Sequence, residues 1–186
     1  MLSQVKKMHN GKGNEMIWLL EHNDIYTGGT SSKQNDLKDT KNIKISKTNR
    51  GGQWTWHGPG QRIVYFVLDL NIRNKDVRWF VNKLEQLIIN TLLDFNINSK
   101  RREGLPGVWV QNNNGINKIG AVGIRISKWI AYHGISININ PDLSKYEGII
   151  PCGVTDAGVT SASNLGYSFS LKDFDNSLAL NFEKLF

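Results

Sequence analysis

The stretch V-R-W-F-V-N-K-L-E-Q-L-I-I-N-T-L-L-D-F, Val77 to Phe95, decides the class of the fold. Val77, Phe80, Val81, Leu84, Leu87, Ile88, Leu92 and Phe95 recur at helical spacing and draw one continuous apolar face at a 3.6-residue period. Asp76 stands before it as an N-cap. This is a core helix rather than a carrier of chemistry. On either side the period changes. Met16 to Glu21 is a short apolar run, Ile43 to Lys47 alternates apolar and polar, and Arg62 to Leu70 is β-branched and aromatic; all three read as strands. Thr27 to Asp39, rich in Gly, Ser, Asn and Lys, reads as a loop. Gly107 to Gln111 and Ile116 to Ile126 form a hairpin around the turn-rich Asn112-Asn113-Asn114-Gly115. Ile135, Ile137 and Ile139 alternate with Ser136, Asn138 and Asn140, which predicts a strand with one buried and one polar face. Short helices are expected after Asp156 and from about Asn176 to Phe186. Strands, one long helix and short helices make an α+β (mixed α/β) fold in a single domain, residues 1–186.

The composition is that of an ordinary globular chain: 186 residues, 39% hydrophobic and 21% charged. No apolar stretch approaches the roughly 18 residues of a membrane span, so no membrane is expected. Met1 to Asn14 is polar and lacks the apolar core of a secretory signal. A single cysteine suits a reducing compartment, and the expected location is the cytoplasm. The net charge of +7 and a pI near 9.5 attract acidic partners. The excess gathers in Lys33 to Arg50 and Asn98 to Arg102. No run of five like charges and no nucleic-acid-reading element accompanies it, so nucleic acid is not the expected partner.

The single cysteine, Cys152, sits in Gly148-Ile149-Ile150-Pro151-Cys152-Gly153. With no second thiol for an internal disulfide, it is a buried inert side chain, a metal ligand or a nucleophile. Pro151 and Gly153 favour a tight turn that aims a side chain into a cleft. A free thiol titrates near about 8.5, so a nucleophilic role needs a site that favours the thiolate. Lys118 opens the strand Ile119-Gly120-Ala121-Val122-Gly123, whose glycines leave room for a backbone or ligand chain. An ammonium about 4 Å from a thiolate contributes on the order of 4 kcal/mol at an effective dielectric of 20, before desolvation. Alone, Lys118 reads equally as an edge-strand charge. The run Arg50-Gly51-Gly52-Gln53-Trp54-Thr55-Trp56-His57-Gly58-Pro59-Gly60-Gln61 combines glycines for close approach with aromatics that can wall an apolar tunnel. Neither the phosphate-loop spacing nor G-x-G-x-x-G is present. A metal site would need His57, His133 and Cys152 to converge without ligand spacing, so no metal is expected. His133-Gly134 opens the alternating strand and can line the same cleft. His9 and His22 belong to no constellation.

Taken in order, the runs resemble the octanoyl/lipoyl transferase family, also called lipoate-protein ligase B. The resemblance rests on R-G-G-Q-W-T-W-H-G-P-G-Q (Arg50 to Gln61), P-G-V-W-V (Pro106 to Val110), K-I-G-A-V-G-I-R (Lys118 to Arg125), Y-H-G-I-S-I-N-I-N-P-D-L (Tyr132 to Leu143) and G-I-I-P-C-G-V (Gly148 to Val154). Leu20-Glu21-His22 and Tyr26-Thr27 resemble its N-terminal motif. The resemblance implies a domain like the catalytic domains of biotin and lipoate ligases, a mixed sheet flanked by helices. It implies transfer of an octanoyl or lipoyl group, without ATP or another cofactor, in the first step of endogenous protein lipoylation. The donor would be octanoyl-acyl carrier protein. The acceptors would be lysines of lipoyl domains in α-ketoacid dehydrogenase complexes and of the glycine cleavage H protein. Cys152 would form the acyl thioester, and Lys118 would lower the thiol pKa and shuttle the proton. Arg50, Gly51, Gly52, Gln53, Trp54, Thr55, Trp56 and His57 would bind the acyl substrate, with Ala121, Val122, Gly123, Gly134, Ile135 and Ser136. Three features depart from the family pattern, one of them the loop Thr30 to Asn42, which does not match. Met1 to Glu15 is short and polar, which leaves an N-terminal helix unassigned. Trp54 and Trp56 are bulkier than the usual residues and would narrow the acyl tunnel. The alternative is an ATP-dependent lipoate or biotin-type ligase, which shares the architecture and needs no cysteine.

Overall fold

The computed structural model describes residues 1–112, 115–151 and 157–186. Ten strands and three α-helices are placed among them: α1 (Leu2–His9), β1 (Met16–Leu20), β2 (Ile25–Gly28), β3 (Lys44–Lys47), β4 (Trp54–His57), β5 (Gln61–Asp69), α2 (Val77–Leu93), β6 (Lys100–Arg102), β7 (Leu105–Asn112), β8 (Gly115–Ser127), β9 (Ile130–Asn138), β10 (Gly158–Val159) and α3 (Leu171–Leu185). The larger sheet runs β1-β5-β9-β8-β7-β6, antiparallel throughout, with β10 added parallel to β8. A smaller sheet runs β3-β2-β4, with β2 parallel to β3 and antiparallel to β4. The expected mixed sheet flanked by helices is therefore present.

The helical face of the larger sheet carries the main core. Val64, Phe66 and Leu68 of β5 and Ala131, Ile135 and Ile137 of β9 pack with Phe80, Leu84, Leu87, Ile88 and Leu92 of α2 and with Phe174 and Leu178 of α3. Burial of each such side chain contributes about 1.5–3 kcal/mol. The N-cap of α2 is the one expected: the Asp76 carboxylate accepts from the amides of Arg78 (2.8 Å) and Trp79 (3.1 Å). The opposite face is covered at one end by α1, whose Val5 packs with Val67, Ile130 and Tyr132. The smaller sheet has its own cluster of Tyr26, Trp54, Trp56 and Ile149.

Several sequence expectations are corrected. Met1 to Glu15 does contain a helix, held by an apolar contact that its polar composition conceals. The glycine-rich run at residues 50–61 contains strand β4, paired to β2. The stretch at residues 27–39 begins inside β2, and the last helix starts earlier than expected, at Leu171, capped by Ser170 Oγ on the Asp173 amide (3.1 Å). The α-helix expected after Asp156 is not there: among the described residues the chain from Ala157 forms β10 and then a 3₁₀ turn at Ser163–Leu165. The polar face read for residues 135–140 is not solvated within β9: Ser136 and Asn138 are 7% and 4% exposed. They face a second buried layer rather than water.

Asp76→Ala removes two hydrogen bonds to otherwise orphaned helix amides and should lower stability by about 1 kcal/mol, with Asp76→Asn losing less. Urea unfolding of the three proteins checks this; equal midpoints would mean that the cap contributes nothing.

Candidate active site

The position of Lys118 depends on an irregularity in β8. Trp109 of β7 faces Lys118, but the next residue back, Val108, faces Gly120. Ile119 is therefore one residue too many, a β-bulge. Strict alternation would send Lys118 to the face opposite Ala121. The bulge resets the alternation: Ile119 enters the helix-side core, and a Cβ on Gly120 would meet Ile88 of α2. Lys118 and Ala121 then line one small recess together with Thr55 and Ser136. Lys118 is 8% exposed. Its Nζ donates to the Pro106 carbonyl at 2.9 Å and lies 4.7 Å from the centre of the Trp109 ring. Gly107, at a φ of +121°, lets the chain pass the lysine stem; a Cβ there would fall 3.0 Å from Lys118 Cε. On the other side β10 pairs Val159 with Lys118, and the Thr160 amide donates to the Lys118 carbonyl at 2.9 Å. Pro151 lines the same recess. Cys152 lies outside the described residues.

Beside this recess, and sharing Thr55, Ala121 and Ser136 with it, lies a cavity of about 490 Å³. It lies between the two sheets and opens to solvent. Its floor is the non-helical face of the larger sheet: Trp18, Leu20, Ile63, Tyr65, the stretch Ala121-Val122-Gly123 and the stretch His133 to Ser136. Its roof is Thr27, the loop from Thr48 to Gln53, and Trp54, Thr55 and His57. Every residue read from sequence as substrate-binding lines it except Trp56. Trp56 faces away, donates its indole N–H to Asp24 Oδ1 at 3.2 Å, and borders a separate depression of about 600 Å³ with Pro59, Gly60 and Asn140. That depression includes neither Lys118 nor the Arg50 loop.

The roof loop is pinned by Arg50. Its guanidinium donates to the carbonyls of Thr27 (2.6 Å), Gly51 (2.9 Å) and Gln53 (2.9 Å) and to Thr27 Oγ1 (2.9 Å). The Gly51 amide donates to the Ile124 carbonyl of β8 at 2.9 Å. Gly123 leaves room for this docking: a Cβ there would lie 3.2 Å from Arg50 Cδ, and the arginine would have to shift by a few tenths of an ångström. His133 reaches the cavity through an unusual backbone. By alternation it belongs with Ala131 and Ile135 on the helical face, but its φ of +67° turns it out. Its Nε2 bonds Asn49 Oδ1 at 2.6 Å, and Asn49 Nδ2 donates to Tyr132 OH at 3.2 Å. His57 Nδ1 bonds Gln61 Oε1 at 2.6 Å. Since both amide oxygens only accept, each ring nitrogen so bound carries the proton. His22, assigned no part from sequence, bonds Tyr65 OH through Nε2 at 2.7 Å, and its ring centre is 5.7 Å from that of His57. Only its place beside Leu20 and Glu21 in the N-terminal motif pointed to it.

Burial, reinforced by the charges of Arg50 and His22 and opposed by the Gln61 hydrogen bond, lowers the His57 pKa to about 3. Burial first, then the charges of Arg50 and Arg125, lowers His133 to about 4. The cavity therefore presents neutral imidazoles at neutral pH. No group of three or more His, Cys, Asp or Glu side chains among the described residues is placed to hold a metal ion. Below the ordinary imidazole value of 6.5 the unfolded chain binds protons here that the folded chain refuses. Stability is then full above that value and is lost as the pH falls. The melting temperature should drop steadily between about pH 6.5 and 4.5. His133→Asn, which suits a left-handed backbone, should flatten that slope. Parallel slopes for wild type and variant would show that His133 is not among the groups responsible.

The chain matches the lipoyl protein ligase A/B catalytic domain over residues 2–183. It is 46% identical over 187 residues to the octanoyltransferase of Rhodospirillum rubrum, covering 100% of this chain and 87% of that protein. It is 47% identical to the octanoyltransferase of Bartonella bacilliformis, covering 100% and 81%. In fold it is similar to a bi-partite lipoate protein ligase from Thermoplasma acidophilum, with a TM-score of 0.76, 14% identity and coverage of 99% and 77% of the two chains. A lipoate-protein ligase A bound with ATP is similar at a TM-score of 0.72, 13% identity and coverage of 99% and 78%. Matched by the family model over nearly its whole length, and close to half identical to these relatives, this chain belongs to the lipoyl protein ligase A/B catalytic domain family.

Proposed function

We propose that the chain is an octanoyltransferase that moves an octanoyl group from acyl carrier protein to a lysine of an apo lipoyl domain through a thioester on Cys152. The supporting observation is the placement of Lys118. It is a buried side chain brought by a β-bulge onto the cavity face, in a recess that it shares with Pro151, the residue preceding Cys152. The adjoining cavity, mostly apolar and of about 490 Å³, falls in the range of small-molecule sites. It would hold the alkyl chain with the acyl carbonyl toward the recess shared with Thr55, Ala121 and Ser136. Arg50, by clamping the loop over β8, fixes the height of the roof. Trp54, 1% exposed and with its indole N–H on the Lys33 carbonyl at 2.7 Å, limits its width.

In the first step the Cys152 sulfur attacks the thioester carbonyl, with its proton passing to Lys118. The carrier thiolate leaves and takes that proton, and the acyl group stays on Cys152 as a new thioester. In the second step the acceptor lysine's amine attacks this thioester. The Cys152–acyl bond breaks, an amide forms, and Lys118 relays the amine's proton to the departing Cys152 sulfur. Bond exchange is balanced in both steps, and the incoming thioester supplies the activation. The acceptors we expect are lipoyl domains of α-ketoacid dehydrogenase complexes and the glycine cleavage H protein. The surface charge of +7 favours encounter with an acidic carrier protein. Cytoplasmic location is part of the proposal; among the described residues no helix is long and apolar enough to cross a membrane.

Intact-protein mass after mixing with octanoyl-acyl carrier protein, without ATP, tests this. Wild type should gain one octanoyl group, lost again on adding an apo lipoyl domain. Cys152→Ala should gain none. Lys118→Ala should form the adduct roughly 10²–10⁴-fold more slowly. Product formed only when ATP and free acid are supplied, and undiminished in Cys152→Ser, would instead identify an ATP-dependent ligase.

A further inference from the structure

Three buried polar side chains, those of His57, Gln61 and Asn138, and the backbone of Thr160 connect the cavity wall to the strand that carries Lys118. Gln61, Asn138 and Thr160 are 0%, 4% and 1% exposed, and His57 is 8% exposed. Gln61 Oε1 accepts from His57 Nδ1 at 2.6 Å, and Gln61 Nε2 donates to Asn138 Oδ1 at 2.8 Å. Asn138 Nδ2 donates to the Thr160 carbonyl at 2.9 Å, and the Thr160 amide donates to the Lys118 carbonyl at 2.9 Å. Tyr146 OH sits against both amides, accepting from Gln61 Nε2 at 2.8 Å and donating to Asn138 Oδ1 at 3.3 Å.

The chain of bonds has a fixed direction. The Thr160 carbonyl can only accept, so it requires the NH₂ group of Asn138. That leaves Asn138 Oδ1 facing Gln61, which must present its own NH₂ there and its oxygen to His57. One main-chain carbonyl thus sets both amide orientations and the tautomer of His57. One end of the relay is the wall of the acyl cavity. The other is the point where β10 meets Lys118. Buried amides with no such task are costly compared with apolar packing.

We propose that Gln61 and Asn138 are positioning residues of the transfer reaction. As one buried amide pair they hold β10 and the Lys118 end of β8, through Thr160, in fixed register with the His57 wall. The inference rests on the transferase reading above.

Asn138→Asp in the full chain tests it. The carboxylate keeps the shape and the acceptor facing Gln61, but sets an oxygen against the Thr160 carbonyl. When protonated it can donate there again. Cys152 is the only cysteine, so iodoacetamide alkylation followed by mass reports its thiolate alone. At pH 7 the variant should be alkylated about tenfold more slowly than wild type, a shift of about one unit in the thiol midpoint. The ratio of variant to wild-type rates should return toward one as the pH is lowered and the new carboxyl group protonates. A residue that merely supports the fold would change the melting temperature without moving this ratio with pH. Tyr146→Phe removes only the hydroxyl between the two amides and should give a several-fold, pH-independent deficit. It decides the matter if Asn138→Asp does not fold. Wild-type alkylation rates in the folded variants overturn the inference. Octanoyl adduct formation on wild type is measured alongside. If wild type takes the octanoyl group and the variants behave like it, the positioning role alone fails; if wild type takes none, both readings fail.

Discussion

The site depends on one constraint: strands β5 and β9 run through the interior with little or no solvent face. One face is committed to α2 and α3. The other lies under the smaller sheet and forms the cavity floor. In an ordinary half-exposed sheet the second face would be polar and solvated. Here its polar side chains must find partners inside the protein or not be there at all. Gln61 and Asn138 are therefore not surface residues that happen to be near a site. They sit in a layer where each hydrogen bond restricts the next, and the restriction extends from the cavity wall to Lys118.

This explains which parts could be read from sequence. The α2 helix and its Asp76 cap were legible because helical periodicity and capping are local. The strands at residues 16–20 and 61–69 were legible from their apolar runs, and the one at residues 44–47 from its alternation. The polar alternation of residues 135–140 correctly indicates a strand but wrongly suggests a half-exposed one, because alternation reports two environments without saying that one is water. Strand β4 was hidden because its glycine-rich flanks look like a loop until β2 is there to pair with it. The face taken by Lys118 was illegible for a sharper reason. A bulge is a mismatch between two strands, Trp109–Lys118 against Val108–Gly120, and neither strand alone contains it. The sequence lets His133 line the cleft, and it does, but not for a reason visible in the sequence: parity assigns it to the core, and its backbone angle brings it to the cavity. The cavity-lining residues came from motif order rather than from physics, and one of them, Trp56, faces another way.

The electrostatics of the cavity follow from the same enclosure. Arg50 has three carbonyl acceptors at 2.6–2.9 Å, so its charge is held rigidly beside His57 and His133. That fixed cation works with desolvation to keep both imidazoles neutral. Neutral imidazoles beside an apolar space suit an alkyl chain better than charged ones, since a charged ring would draw water into the cavity.

Strand β10 is two residues long and, among the described residues, pairs with β8 alone, whereas β9 is paired along its length on both sides. Opening free energies therefore differ steeply over a short distance. Amides of β9 should exchange with solvent only when the whole domain unfolds, while the Thr160 amide on the Lys118 carbonyl can be released by a local event. The chemistry would then sit on a boundary between two cooperative units. One is rigid enough to shape the cavity, and the other can part from it at a fraction of the total stability, giving a bulky protein substrate access without loosening the core.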